Sequence, residues 1–567
     1  MHSGGANASI LRAAGPFALQ RLRAVAENTV IEHVLSIFQH VLSIILLIVC
    51  IVFVNWVFGT NRDQSHLTPV ESYGATASVF LYLLRSIPYL SVPFAVTNII
   101  GFVTMNLWPT GPKFQVPKTR IPFLCFRVVT RGLFPDLVKS NVNRNIEVCY
   151  KAGLDNFKFE VVTDNSLNLP KSALIRELVV PETYVTRNNS HFKARALQYC
   201  LQSDINILSD DDWIVHLDEE TILTEGSVIG LANFAGQELG SIAQGVITYA
   251  NEEVVNWWTT LADSVRVSVD LGMMRFCFKR LNCPAFGFKG SYIIVKVSVE
   301  KKIGFDFGPC GSIAEDVFFA LTAWKLGYKF NFVDGEMWEK SPFSLGDYVK
   351  QRKRWFVGHI YTILSSEIPI KCKLCLIPTD LGWLLLFGNI LNFPASFVFP
   401  IPMPLILNVI AGSMGGVMIF LFIFGTIKSI SIRKYGLPRK VLFILWTVIS
   451  IPLAACLDAT ASLYGVITCN SGGFHIVEKE VKPPSSYYKT NDSMVRTVMK
   501  KVGTVKYKVW TLKNTECQHI DNQGWERGEK CIENEEQGQD CEEQGRESQE
   551  YEDDCQGMGH DIKMLSG

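Results

Sequence analysis

Residues 211–223 read DDWIVHLDEETIL, a short strand-forming run, WIVHL, with acids crowded at both ends. Like charge gathers at this density where solvent, a helix dipole or a bound counter-charge answers it. Asp210, Asp211 and Asp212 precede the run and suit a solvated turn at its amino end. Asp218, Glu219 and Glu220 follow it, at the end where an open α/β sheet collects its ligands. Asp218 and Glu220 face the same way if the backbone stays extended, while Glu219 faces elsewhere. A hard divalent cation, Mg²⁺ or Mn²⁺, answers their repulsion, because it takes one or two carboxylates and completes its shell with phosphate oxygens. An acidic helix start competes with this, since EET would also complement the dipole of a following helix.

The flanking sequence makes WIVHL one strand of several. FLCFRVVTR (123–131) and FKFEVVTD (157–164) are strand-like, and NVNRNIEVCYKAGL (141–154) between them has helical spacing. KARALQYCLQ (193–202) and GSVIGLANFAG (226–236) continue the alternation as helices on either side of WIVHLD. Strand, helix, strand with short links predicts parallel pairing and a doubly wound α/β sheet. Asp164 then reaches the same sheet edge as Asp218, although an Asx turn would also explain it. In GSIAEDVFFALTAWKLGYKF (311–330), Val317, Leu321, Trp324 and Tyr328 keep helical spacing. Glu315 and Asp316 fall in the first turn of that helix, where the dipole by itself would account for them. SLGDYVKQRKRWFVGHIYTIL (344–364) predicts an amphipathic helix suited to lipid headgroups, with Arg352, Lys353 and Arg354 beside Trp355 and Phe356.

The chain has 567 residues, 48% hydrophobic and 19% charged, with no net charge and a mean hydropathy of +0.18. That balance excludes a disordered chain and predicts no nucleic-acid partner. The hydrophobic excess lies in runs. Residues 41–58 carry no charge and are long enough to cross a bilayer core of about 30 Å. Residues 86–108 are interrupted by Pro88 and Pro93, which membrane helices tolerate. Runs at 381–399, 405–427 and 441–468 bring the expectation to about five spans. The expected organisation is an N-terminal cytosolic segment (1–40), two spans (41–108), an α/β domain with interfacial helices (109–380), about three spans (381–468) and a tail (469–567), acidic and disordered from about Thr515. No cleaved signal is expected, because the first apolar run starts too far into the chain. Arg21 and Arg23, with Lys428, Arg433, Lys434, Arg439 and Lys440 between the last two runs, place the middle segment in the cytosol. The N-x-S sites at Asn7 and Asn188 are then unglycosylated, and Asn491 reports the side of the tail. A lone C-x-x-C, Cys372 to Cys375, has no second pair and reads as incidental.

Taken together, VVTDN with Asp164, KARAL with Lys193, HLDEE with Asp218 and Glu220, AEDVF with Asp316, and QRKRW with Gln351, Arg354 and Trp355 follow a distinctive order and spacing. The pattern resembles the membrane-bound inverting glycosyltransferases that include cellulose, chitin and hyaluronan synthases and ceramide glucosyltransferase. Asp-x-Glu stands where that family more often has Asp-x-Asp, and AED where it has TED. HLDEETILTEGSVIG, with two spans before the domain and several after, looks most like the egghead-type β-1,4-mannosyltransferases, over roughly residues 30–470. The resemblance implies a GT-A nucleotide-sugar domain inserted between transmembrane helices of the endoplasmic reticulum or Golgi and facing the cytosol. It implies transfer of mannose from GDP-mannose to glucosylceramide. It also implies Asp164, Lys193, Asp218 and Arg354 on the nucleotide sugar, Asp218 and Glu220 on the metal, and Asp316 as base, with Glu315, Gln351 and Trp355 toward a lipid-linked sugar acceptor. A processive polysaccharide synthase or another lipid glycosyltransferase using a UDP-sugar would have the same site, and a membrane scaffold would carry it inactive. No residue by itself separates guanine from uracil in the donor.

Overall fold

The computed structural model describes residues 16–58, 68–170 and 172–468, without the side chains of 16–29 and of Phe58. The expectations for the tail, for Asn7 and Asn491 and for the side chains of Arg21 and Arg23 fall outside the described residues.

The chain opens with α1 (Pro16–Phe58), followed by α2 (Ala75–Ser86), a 3₁₀ turn at Ile87–Ser91 and α3 (Val92–Thr104). Ala75–Thr104 forms a 30-residue stretch apolar enough to cross a membrane, so the segment expected over 86–108 starts earlier and stops sooner. Pro88 and Pro93 sit in the first turns of the 3₁₀ turn and of α3, where a missing N–H breaks no helical bond.

The α/β domain follows as β1 (Leu124–Thr130), α4 (Pro135–Ala152), β2 (Phe157–Thr163), β3 (Ile175–Val179), α5 (Phe192–Tyr199), β4 (Trp213–Asp218), α6 (Glu225–Gly236), β5 (Ile242–Thr248), α7 (Trp257–Val269), β6 (Ile293–Lys296), α8 (Val297–Ile303), α9 (Glu315–Lys325) and β7 (Phe330–Trp338). The strands lie in the order β3-β2-β1-β4-β6-β5-β7. β1 pairs in parallel with β2 and β4, and β2 with β3, as the alternation predicts. β6 runs antiparallel to both β4 and β5, which makes the sheet mixed rather than wholly parallel. Residues 286–291 line the ligand edge, so the chain enters β6 from that edge and in the reverse direction. The helix expected over 311–330 is shorter: it starts at Glu315, ends at Lys325 and leaves Phe330 to open β7.

After the sheet come α10 (Leu345–Leu364), α11 (Leu376–Leu384), α12 (Leu386–Val398), α13 (Leu405–Ser429) and α14 (Leu437–Ile467). The run expected to cross once at 381–399 is split between α11 and α12, which bend by 61°. Four stretches among the described residues are long and apolar enough to cross a membrane, or five if that pair counts as one. Small residues let these helices approach closely. A Cβ on Gly416 of α13 would stand 2.5 Å from Ile51 Cα of α1, and one on Gly425 would stand 1.9 Å from the Ser264 carbonyl oxygen of α7. One apolar core accordingly runs from Phe102 of α3 and Phe420 of α13 into Phe126 and Ile214 of the sheet. The basic loop between α13 and α14 lies on the α/β domain: Lys434 donates to the carbonyls of Asn251 (2.8 Å) and Glu252 (2.7 Å).

Beneath the ligand edge, Arg127 of β1 donates to Glu160 of β2 (2.8 Å) and to Glu300 of α8 (2.7 Å), and His216 of β4 lies 2.6 Å from Glu300. Burial works to raise Glu300, but His216 and Arg127 overcome it and hold the carboxyl below its ordinary value. Arg127→Ala would leave two buried carboxylates short of a partner, at a cost of about 3–5 kcal/mol. A fall in the thermal inactivation midpoint of the detergent-solubilised protein measures this, and an unchanged midpoint refutes it.

Candidate active site

β1, β2, β4, β5 and β7 direct their carboxyl ends to one edge of the sheet, and the antiparallel β6 starts there. Strand direction therefore brings together residues far apart in the chain: Thr130, Asp164, Asp218, Tyr249 and Glu339 at strand ends, with Gly290 and Ser291 leading into β6. They line a cavity of about 450 Å³. Lys193 enters it from α5, Glu315 and Asp316 from the start of α9, and Gln351, Arg354 and Trp355 from α10. Every residue singled out in the sequence, Asp164, Lys193, Asp218, Glu220, Glu315, Asp316, Gln351, Arg354 and Trp355, lines this one cavity.

The backbone does not stay extended after Asp218. It turns, with the Thr221 N–H bonded to the Asp218 carbonyl (3.0 Å) and Ile222 bridged to Trp338. Glu220 and Glu219 both line the cavity from this turn, and Glu219 is buried and accepts from the Thr130 hydroxyl. Lys193 Nζ donates to Asp218 Oδ1 (2.6 Å) and to the Gly290 carbonyl (2.7 Å), and lies 3.9 Å from Glu315 Oε1. Burial works to lower the Lys193 pKa, but Asp218 and Glu315 overcome it and raise the group above its ordinary value. Asp164 is held by Arg195 (2.9 Å) and Arg131 (3.5 Å).

Two neighbouring acids open α9, and burial raises both. Glu315 is pushed up to about 7 by burial and then by the charge of Asp316. Asp316 is raised by burial, against the opposing pull of the Val317 N–H that bonds its Oδ1 (2.9 Å) and of Lys193, Arg354 and His359. A carboxyl with this environment suits proton transfer near neutral pH.

On α10, Trp355 has the guanidinium of Arg352 at 4.2 Å and that of Arg266 at 4.7 Å from its ring centroid. Part of the flat surface expected to meet an acceptor sugar is thus already covered by cations. Gln351 accepts from Arg352 at 3.3 Å. Arg352 is itself buried against Asp263 of α7 and lies 3.5 Å from Asp458 of α14. The same cavity also has apolar lining, from Phe94 of α3, Met273, Met274, Phe286 and Trp383 of α11.

The structure adds lining residues that the sequence analysis missed: Glu339, Arg266, the Asp270–Lys289 ion pair and His359. Burial raises Asp270 and lowers Lys289, drawing both toward neutrality. Glu339 directly follows the strand FNFVDGEMW, as Asp164 follows β2, so it obeys the strand-end rule that found Asp164 and Asp218. Asp270 opens a π-helical turn (Asp270–Met274), a distortion that no local sequence signal announces.

Residues 213–455 match the family model described as Glycosyl transferase family group 2. The chain is 44% identical to the Drosophila melanogaster protein Beta-1,4-mannosyltransferase egh over 448 residues, 78% of this chain and 98% of that one. It is 41% identical to Beta-1,4-mannosyltransferase bre-3 of Caenorhabditis elegans over 458 residues, 80% of this chain and 99% of that one. Among solved structures, a mannosyltransferase from Pyrobaculum calidifontis in complex with GDP-Man and Mn2+ aligns with a TM-score of 0.39 and 13% identity, covering 68% of this chain and 99% of that chain.

Proposed function

This chain belongs to the β-1,4-mannosyltransferase family of group 2 glycosyltransferases, and from that premise we propose that it transfers mannose from GDP-mannose to the glucose of glucosylceramide. It is a glycosyltransferase with a GT-A fold. The observation that carries the finer reading is that one cavity is lined both by acids at the strand ends and by Phe94 and Trp383 on the apolar helices. A nucleotide sugar suits the charged lining and a lipid-linked sugar the apolar lining.

In this reading Asp316 takes the proton of the attacking acceptor hydroxyl as its oxygen displaces the nucleotide at the anomeric carbon, so an α-linked donor gives a β-glycoside. Arg354 and Lys193 meet the charge that develops on the departing diphosphate. Asp164, steadied by Arg195 and Arg131, would contact the nucleoside. Gln351, Trp355 and Glu315, which belong to the same lining, would meet the acceptor.

A divalent cation fits the donor set. The lining carries more carboxylates than lysines and arginines, and Asp218 and Glu220 offer hard oxygens within it. No group of three or more His, Cys, Asp or Glu among the described residues could hold a metal unaided, so phosphate oxygens would complete the shell. Asp218 and Glu220 would hold Mg²⁺ or Mn²⁺, which when bound neutralises charge on the diphosphate. Calorimetry should find Mn²⁺ binding weak alone and strengthened by GDP; equal affinity in both cases would refute the shared shell.

The base works as a carboxylate, and its folded-state pKa is raised. Activity is therefore full above that raised value and lost as pH falls through it. The acid limb of kcat should lie above the ordinary aspartate value of 3.8, and it belongs to the coupled Glu315–Asp316 pair. A limb at or below that value would count against the assignment.

We place the enzyme in the endoplasmic reticulum or Golgi membrane with its catalytic domain in the cytosol. The basic loop supports this, because it rests on the α/β domain and basic loops stay cytosolic. The deciding experiment incubates purified protein with GDP-mannose or a panel of UDP-sugars and glucosylceramide. A single mannose added from GDP-mannose is expected. Preference for a UDP-sugar, or a polymeric product, would overturn the reading.

A further inference from the structure

We propose that His359, held by Asp380, positions the acceptor by donating from Nε2 to one of its hydroxyls beside Asp316. The inference rests on Asp316 being the base. His359 lies on α10 one turn beyond Trp355 and lines the cavity. Its Nδ1 is 3.0 Å from Asp380 Oδ1 on α11, and its Nε2 makes no hydrogen bond to a described residue. Asp380 is 1% exposed, and its Oδ2 is buried without a hydrogen-bond partner among the described residues. A carboxylate in an apolar helix needs a nearby positive charge, and the imidazolium of His359 supplies it. That leaves Nε2–H as the remaining donor of a ring that lines the cavity.

The surroundings show what this donor can serve. Thr379 and Trp383, from the same turns of α11 as Asp380, line the cavity beside it, and a Cβ on Gly287 would stand 3.9 Å from His359 Cε1. The charged groups facing His359 are Asp380 from α11 and Asp316 from α9. Burial would lower its pKa, but these two acids overcome that and raise it above the ordinary value, which favours the charged ring. Asp316 in turn faces Lys193 from α5, Arg354 and His359 from α10, and its neighbour Glu315. The imidazolium thus adds to the positive charge that limits the rise of Asp316. A hydroxyl held there is kept within reach of the base.

The test uses the whole protein in nanodiscs and whichever acceptor the wild-type enzyme glycosylates, so failure of the glucosylceramide reading does not affect it. His359→Ala should raise the acceptor KM roughly tenfold or more, lower kcat, and change the donor KM far less. It should also move the acid limb of kcat to higher pH, because a positive charge beside Asp316 is lost. His359→Gln, which keeps a donor but no charge, should recover part of the acceptor KM and none of the limb. Asp380→Asn should move the limb in the same direction. Wild-type acceptor KM and limb in the Gln and Asn variants, or a donor KM that rises as much as the acceptor KM, would overturn the proposal; these two variants decide if the Ala variant does not fold.

Discussion

Asp316→Asn is expected to lower kcat by roughly 10²- to 10⁴-fold, the usual contribution of a positioned general base, while donor affinity stays near wild type. The substitution keeps the shape and an oxygen that can still accept from the Val317 N–H, so the first turn of α9 retains its bond. It removes one of two neighbouring charges, which relieves Glu315 of the second cause of its raised pKa. Folding should therefore be preserved, and the loss should fall on turnover. Single-turnover transfer, with donor affinity measured by calorimetry, separates the two effects. Substantial transfer by this variant would remove Asp316 from the role of base.

Asp218→Ala should cost at least about 10²-fold in metal-dependent donor affinity. Asp218 ends β4 and holds Lys193, which also reaches Gly290 and approaches Glu315. Truncation would remove one of the two oxygen donors proposed for the cation and release the ammonium that Asp218 fixes. Asp210→Ala is the matched control from the other end of the same strand. Asp210 is exposed and pairs with Lys301 (2.7 Å), outside the cavity lining. Donor affinity should survive that change. If affinity also survives Asp218→Ala, and survives a chelator in the wild-type protein, the assignment of Asp218 and Glu220 to a metal is wrong.

Acids at strand ends were legible because a strand has a direction that its sequence shows. WIVHLD and FEVVTD each end in an acid, so parallel pairing had to bring Asp164 and Asp218 to one edge. Glu339 obeys the same rule but was hidden, since the sequence up to Phe330 continues the helical spacing of α9. On α10, Gln351, Trp355 and His359 recur at intervals of four and share a face, so His359 was within reach of the periodicity that marks the other two.

Other features depend on partners that local pattern does not encode. Arg352 meets Asp263, 89 residues away, and both are buried only because α10 packs on α7. Asp270 and Lys289 pair across a π-helical distortion, and β6 runs backward because the chain entering it follows the ligand edge. Periodicity and strand ends, which depend on neighbours within a turn or two, determined the α/β class, the apolar runs and the acids of the cavity. Only tertiary packing decided the break between α11 and α12, the covering of Trp355 by guanidinium groups and the seating of His359 against Asp380. Each of those depends on where distant segments meet, and a buried charge takes its partner from whatever the fold sets beside it.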